Sequence, residues 1–313
     1  EGTYNHTTTM AVGSTAELTL GSYAFDGDND SLRVEVKEVN STTDGDLNNN
    51  VQEFNGIYDP VSGTQTFGQG DSLPGLQAFL DKISFGGICG PVVIKIRNGN
   101  YNGDFDIELH NVKGTSATNT ITFESESGNP EDVILKPDNN NHWGVFEMEN
   151  VDHLNIRNLT IDANDVNCNP CIYLNGYCGN LDIENVTFIG DSSNCESIIY
   201  IDNFVDGLTM RNSRTSFGEY VFYSYGTGNS KPILVENNVF LEAEYGFEIE
   251  DHISCVFRNN RYTSALRDAN YFGYFYDNEE LIIENNFVKI DSLNGSYAME
   301  AGDYISNQNT SST

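Results

Sequence analysis

The chain has 313 residues, enough for one elongated domain or two compact ones. Lys plus Arg number 15 against 47 Asp plus Glu, and the formal net charge of −32 repels nucleic-acid backbones and anionic membrane surfaces. Disorder is excluded by 17 Tyr, 18 Phe and 29 Gly, whose rings need a core, and no apolar run approaches the ~20 residues of a membrane span.

The chain opens at Glu1 with neither Met nor a signal-peptide pattern, as expected of a mature or excised piece. An acidic, Asn-, Thr- and Gly-rich composition with 6 Cys points to an extracellular or cell-surface protein. Sequons at Asn5, Asn40, Asn158, Asn185, Asn294 and Asn309 matter only in a glycosylating host.

Residues 1–56 read as a small β segment, with strand character over Ala16 to Leu20 and Leu32 to Val39. Between these runs Asp26, Asp28 and Asp30 alternate with Gly27 and Asn29, a spacing able to wrap Ca²⁺ through oxygen ligands. No Glu follows at the EF-hand distance, so a solvated turn is the competing reading, and nothing indicates an organic cofactor. Residues 73–83 then predict a helix, with Leu76, Phe79, Leu80 and Ile83 at helical spacing and Pro74 near a start after Ser72. Such a helix caps the open end of a solenoid.

From residue 94 onward one pattern recurs: apolar, any, apolar, charged, Asn. It is carried by Ile94 to Asn98, Leu154 to Asn158, Leu181 to Asn185, Leu208 to Asn212, Ile233 to Asn237, Cys255 to Asn259 and Leu281 to Asn285, with Ile121 to Ser125 ending in Ser. Successive final slots lie 27, 33, 27, 27, 25, 22 and 26 residues apart, a solenoid period. The predicted fold is an all-β, right-handed parallel β-helix of about 8–9 coils, each adding strands at the ~4.8 Å interstrand spacing. It occupies residues 57–305, and 306–313 form a polar tail with no cap signature.

The final slot, Asn98, Asn158, Asn185, Asn212, Asn237, Asn259 and Asn285, predicts an amide ladder where each strand turns a corner. Sugar or metal ligation is the rival role for these amides. The slot before it reads Arg97, Glu124, Arg157, Glu184, Arg211, Glu236, Arg258, Glu284, alternating in sign without exception. Stacked strands bring such side chains about 5 Å apart, so alternation predicts a salt-bridged ladder. A second strand per coil completes the core through Phe146 and Met148, Ile172 and Leu174, Ile199 and Ile201, and Phe247 and Ile249, with the aromatic group Tyr271 to Tyr276. Their tyrosines either stack coil upon coil or bind glycan rings.

Cys168 and Cys195 each lie ten residues past a ladder Asn, which permits a disulfide between adjacent coils; Cys171 and Cys178 are a second candidate pair. Zn²⁺ held by these four thiols is the alternative, and Cys255 occupies an inward slot.

Catalytic candidates are sparse. A lyase needs a Lys or Arg base near a carboxylate-bound Ca²⁺, and a hydrolase needs paired acids. With the ladder arginines claimed as ion-pair partners, the candidate cations are Arg214, Arg261, Arg267, Lys231 and Lys289, and the nearest acid pair is Asp162 with Asp165. His153 and His252 fall in turns and read as solvated surface. Glu242, Glu244, Glu248, Glu250 and Asp251 make either a Ca²⁺ surface or a solvated acidic face.

The run Gly86 to Ile96, then Gly99-Asn100-Tyr101 and Gly114 to Phe123, with the later Ile-Glu-Asn-Asn repeats, resembles pectate-lyase-like β-helix modules of large secreted bacterial surface proteins across roughly residues 57–300. The Asp26 to Ser31 connection resembles the Asp-rich links of cadherin-like surface repeats, so residues 1–56 are expected to be such a repeat or an assembly arm. The resemblance implies an adhesin, stalk or filament segment whose partners are further copies, flanking domains or glycans. Polysaccharide degradation, by a Ca²⁺-dependent lyase or a glycoside hydrolase, is the alternative.

Overall fold

The computed structural model describes residues 17, 30–36, 51–103, 105, 107–137, 143–163, 170–190, 197–225, 230–265, 271–291 and 297–301. The chain divides into two compact units, Glu1–Asp59 and Pro60–Thr313. In the first unit, Asp30–Glu35 pairs antiparallel with Val51–Ile57. Asp30 lies opposite Ile57, whereas Asp26, Asp28 and the strand expected at Ala16 to Leu20, apart from Glu17, lie outside the described residues.

The second unit is a right-handed parallel β-helix of about seven turns. Each turn presents three faces. The first carries strands such as Ile88–Ile96, Ile121–Ser125, Leu154–Arg157, Ile233–Glu236, Ser254–Arg258 and Glu280–Glu284. The second runs from Gly99–Gly103 through Val133–Pro137, Thr160–Asp162, Thr187–Ile189, Arg214–Ser216, Val239–Leu241 and Arg261–Ser264 to Phe287–Ile290. The third runs from Ile107–His110 and Phe146–Glu149 to Tyr220–Tyr225, Tyr245–Glu250, Tyr271–Tyr276 and Tyr297–Ala301. Ile172–Glu184 and Ser197–Arg211 are long enough to pass from the third face around its corner into the first.

The cap helix is Leu76–Gly86, three residues later than the sequence suggests. Gly75, left-handed at φ 78°, starts it, because Ser72 is engaged elsewhere: its hydroxyl donates to the Gln69 carbonyl at 3.1 Å. Leu76, Leu80 and Ile83 are buried, while the helix packs against Val61–Phe67 and Ile107–His110. Phe79 and Phe67 meet there with ring centroids 5.4 Å apart.

Inside the coil, alternate residues stack in register. Leu154 lies beside Ile121, Leu181 beside Leu208, and Ile233 beside Cys255. Phenylalanines fill the later turns: Phe247 meets Phe222, Phe240, Phe257 and Phe272 at centroid distances of 5.7, 5.1, 4.8 and 5.3 Å. Burying a ring of this size contributes about 2–3 kcal/mol to these turns.

The charge column departs from expectation at its first rung. Lys95, not Arg97, lies opposite Glu124, and its Nζ is 3.5 Å from Glu124 Oε1. Arg97 instead donates to the Gly68 carbonyl at 3.0 Å. The two-residue slip passes unnoticed in the sequence because strand side chains alternate with period two, so face and sign are both conserved. Above it Arg157, Glu184, Arg211, Glu236, Arg258 and Glu284 are in register. Arg258 Nε meets Glu236 at 2.7 Å, and Arg211 meets Glu184 at 3.2 Å. Arg157 reaches diagonally to Asp182 at 3.3 Å, a carboxylate that Arg211 also contacts at 3.0 Å. The hydrogen bond from Arg211 holds the Glu184 carboxyl below its usual range despite burial.

The Asn slot also needs correction. Asn158, Asn185, Asn212, Asn237, Asn259 and Asn285 all sit at φ between 52° and 57° and form left-handed corners, a conformation Asn tolerates better than most residues. Asn185 donates to Asn158 Oδ1 at 2.7 Å, but the outer amides of the later turns are exposed. Asn98 is not such a corner and bonds Asp132 at 3.4 Å. From the Asn212 turn onward a ladder belongs to the next residue, which points inward; in the earlier turns apolar Leu159 and Val186 hold that place. Asn260 Oδ1 accepts from the Asn238 backbone N–H at 3.0 Å, and Asn286 Oδ1 accepts from that of Asn260 at 2.9 Å. Asn260 Nδ2 donates to the Val235 carbonyl at 2.8 Å, while Ser213 N–H donates to Asn238 Oδ1 at 2.8 Å.

Two stability results follow, both read by chemical denaturation. Asn260→Ala strands two buried backbone groups and costs about 2–4 kcal/mol, whereas Asn259→Gly stays within about 0.5 kcal/mol of wild type. Arg211→Glu sets a third like charge between Glu184 and Glu236 and destabilises by about 1–2 kcal/mol, a loss that shrinks in high salt.

Candidate functional site

The outer surfaces of the second and third faces differ in chemistry. On the third, Tyr173, Tyr200 and Tyr223 occupy one column, and Tyr220, Tyr245 and Tyr271 a neighbouring one. Rings stack coil upon coil: Tyr200 on Tyr223 at 5.2 Å and 22°, and Tyr220 on Tyr245 at 4.8 Å and 22°. Trp143, 67% exposed, stacks on Tyr173 at 5.8 Å. Stacking covers the ring faces and leaves edges and hydroxyls outward, which is poor geometry for a sugar ring lying flat on the tyrosines; the exposed Trp143 indole is the better platform.

Carboxylates interleave with these rings. Tyr173 donates to Asp202 at 3.0 Å and Tyr271 to Glu248 at 2.7 Å. Burial first, and then these acids, push both phenols well above their usual pKa. Ser197, Tyr200, Glu219, Tyr220 and Tyr223 line an open depression of about 250 Å³. No Lys or Arg lies in the described strands of this face.

The second face carries the catalytic candidates. Arg214 and Arg261 share one outward column with Val239 between them. Arg261 lies over the Phe287 ring at 5.4 Å. Asp162 meets Lys136 at 3.8 Å, in a strand one rung from Thr187–Ile189 and two from Arg214. Asp162 and the two arginines therefore share a face without converging. Lys231 reaches Asp206 at 3.7 Å and Asn180 at 3.0 Å, Lys289 pairs with Asp291, and Asp165 and Arg267 lie outside the described residues.

Among the described residues, no three His, Cys, Asp or Glu side chains converge as a metal ion requires. Glu242 turns a corner at φ 52° and accepts from Ala265 N–H, whereas Glu248 and Glu250 stand on the third face. Cys171 and Cys178 form no disulfide with each other, which overturns that pairing. Cys171 lies just before Ile172–Glu184 and Cys178 within it, on the other side of the corner at Gly176, φ 66°. Their thiols donate instead to separate backbone carbonyls, of Ile161 at 3.7 Å and Met148 at 3.6 Å. Cys255 is buried as expected, whereas Cys168 and Cys195 lie outside the described residues.

His252 is the largest departure from a solvated reading. It follows the Asp251 corner into the core, is 0% exposed, and sets Nε2 2.7 Å from Ser224 Oγ. Its backbone N–H donates to Asn278 Oδ1 at 3.0 Å, repeating the inward amide at a second corner. The Ser–His spacing suits proton transfer, but both groups are sealed from substrate. The sequence signal was available: Asp251-His252 and Asp277-Asn278 occupy equivalent places one turn apart.

Comparison of the chain with protein-family models and with curated proteins gives no match.

Burial lowers the His252 pKa from 6.5 to about 4. The unfolded chain thus takes up a proton that the folded chain refuses. Stability from this group is complete above pH 6.5 and falls as pH drops towards 4, by about 3 kcal/mol in all. Denaturation at stepped pH should show that slope in the wild type and a flatter one in His252→Gln.

Proposed function

We propose that the chain is a structural segment of an extracellular surface protein, an adhesin, stalk or filament, in which the coil displays surfaces along its length. The observation that carries this reading is the outer arrangement: charges, tyrosines and corner residues run as columns over successive turns. A binding or scaffolding surface gains from repetition, since weak contacts at every rung add. A net charge of −32 further disfavours an unaided uronate polymer as ligand.

Antibody labelling of intact source cells should mark the surface, and deletion of the chain should reduce attachment to a substrate or strip surface filaments. Intracellular labelling with unchanged attachment overturns the reading. So does release of unsaturated or reducing ends from acidic glycans that Arg214→Ala or Arg261→Ala abolishes.

A further inference from the structure

In a chain of net charge −32, cations are scarce, and outside the first face's ladder the second face carries four of them. Its described strands hold Lys136, Arg214, Arg261 and Lys289 at outward positions; Lys136 meets Asp162 and Lys289 meets Asp291, so Arg214 and Arg261 supply its excess of positive charge. Between these charges stand half-exposed Ile189, Val239 and Leu241, and Phe287 is 54% exposed. The third face is its complement: Glu147, Glu149, Asp202, Glu248 and Glu250 among stacked tyrosines, with no described basic strand residue except His110. The first face neutralises itself through its ladder.

We propose that the second face of one copy docks on the third face of another, through Arg and Lys set against carboxylates and tyrosine edges. Charge complementarity selects the occupant. A second copy brings cations at multiples of the same ~4.8 Å rung spacing on which the carboxylates are placed, so pairs meet in register along the coil. Arginine N–H groups can also donate to the outward tyrosine hydroxyl oxygens, and the aliphatic side chains of the second face meet an aromatic surface. Because the two patches differ, each docked copy leaves one of each uncovered, and association continues beyond a dimer. The inference rests on the structural reading above and specifies its lateral contact.

The test uses the full chain at ~0.15 M salt, where repulsion between whole molecules is screened beyond about 8 Å. Sedimentation across a concentration series should show the wild type self-associating. Arg214→Glu/Arg261→Glu should weaken association at least tenfold. Glu147→Lys/Glu250→Lys should weaken it similarly, although this change lowers the overall negative charge and on general repulsion alone would strengthen it. Mixing the two variants should restore association, since each supplies the complement of the other's altered face. Circular dichroism and thermal melting confirm that both variants fold.

A wild type that stays monomeric at its solubility limit overturns the proposal, as does association untouched by both variants, which places the contact elsewhere. A monomer retained on a glucosamine polymer would assign the acidic face to a cationic glycan instead. Surface labelling reads the structural role independently, so lateral pairing can fail while that role stands.

Discussion

The structure depends on one constraint: each strand must donate to and accept from the same position of the strand one turn away, at a spacing set by the backbone hydrogen bond. Once that repeat is imposed, every side chain lies about 5 Å above and below its counterparts. Repetition then amplifies small preferences. A charge in one rung dictates the opposite charge in the next, a ring favours a ring, and a corner that suits Asn once suits it again.

That amplification explains why the fold was legible in the sequence. Inward residues such as Ile156, Ile183 and Met210 recur with alternation no helix would show, and the alternating signs at Arg157, Glu184 and Arg211 betray direct stacking. Period-two symmetry also explains the first error, since replacing Lys95 by Arg97 leaves face and sign unchanged. Only long-range pairing separates those registers: residues 92–96 lie against Ile121–Ser125, and Arg97, past the end of that pairing, bonds Gly68.

The site was less legible, for reasons of direction rather than spacing. Asn259 and Asn260 look equivalent on paper, yet a left-handed residue reverses the path so that the first amide faces water and the second the core. His252 enters the core by the same geometry after Asp251. Cys171 and Cys178 looked close enough to pair because proximity in sequence suggests proximity in space, which the corner at Gly176 between them denies. The contrast between the second and third outer faces was present in the composition of their strands, but it emerges only when those strands are sorted by face.

The inward asparagine column has a kinetic consequence. Asn238 completes its bonding only when Asn260 is in place, and Asn260 only when Asn286 follows. A finished turn is therefore a template with an unspent acceptor or donor, and the next segment of chain closes over it. Winding of this sort propagates from turn to turn through the later coils, as a zipper does, and undoing it from the far side releases one loop at a time.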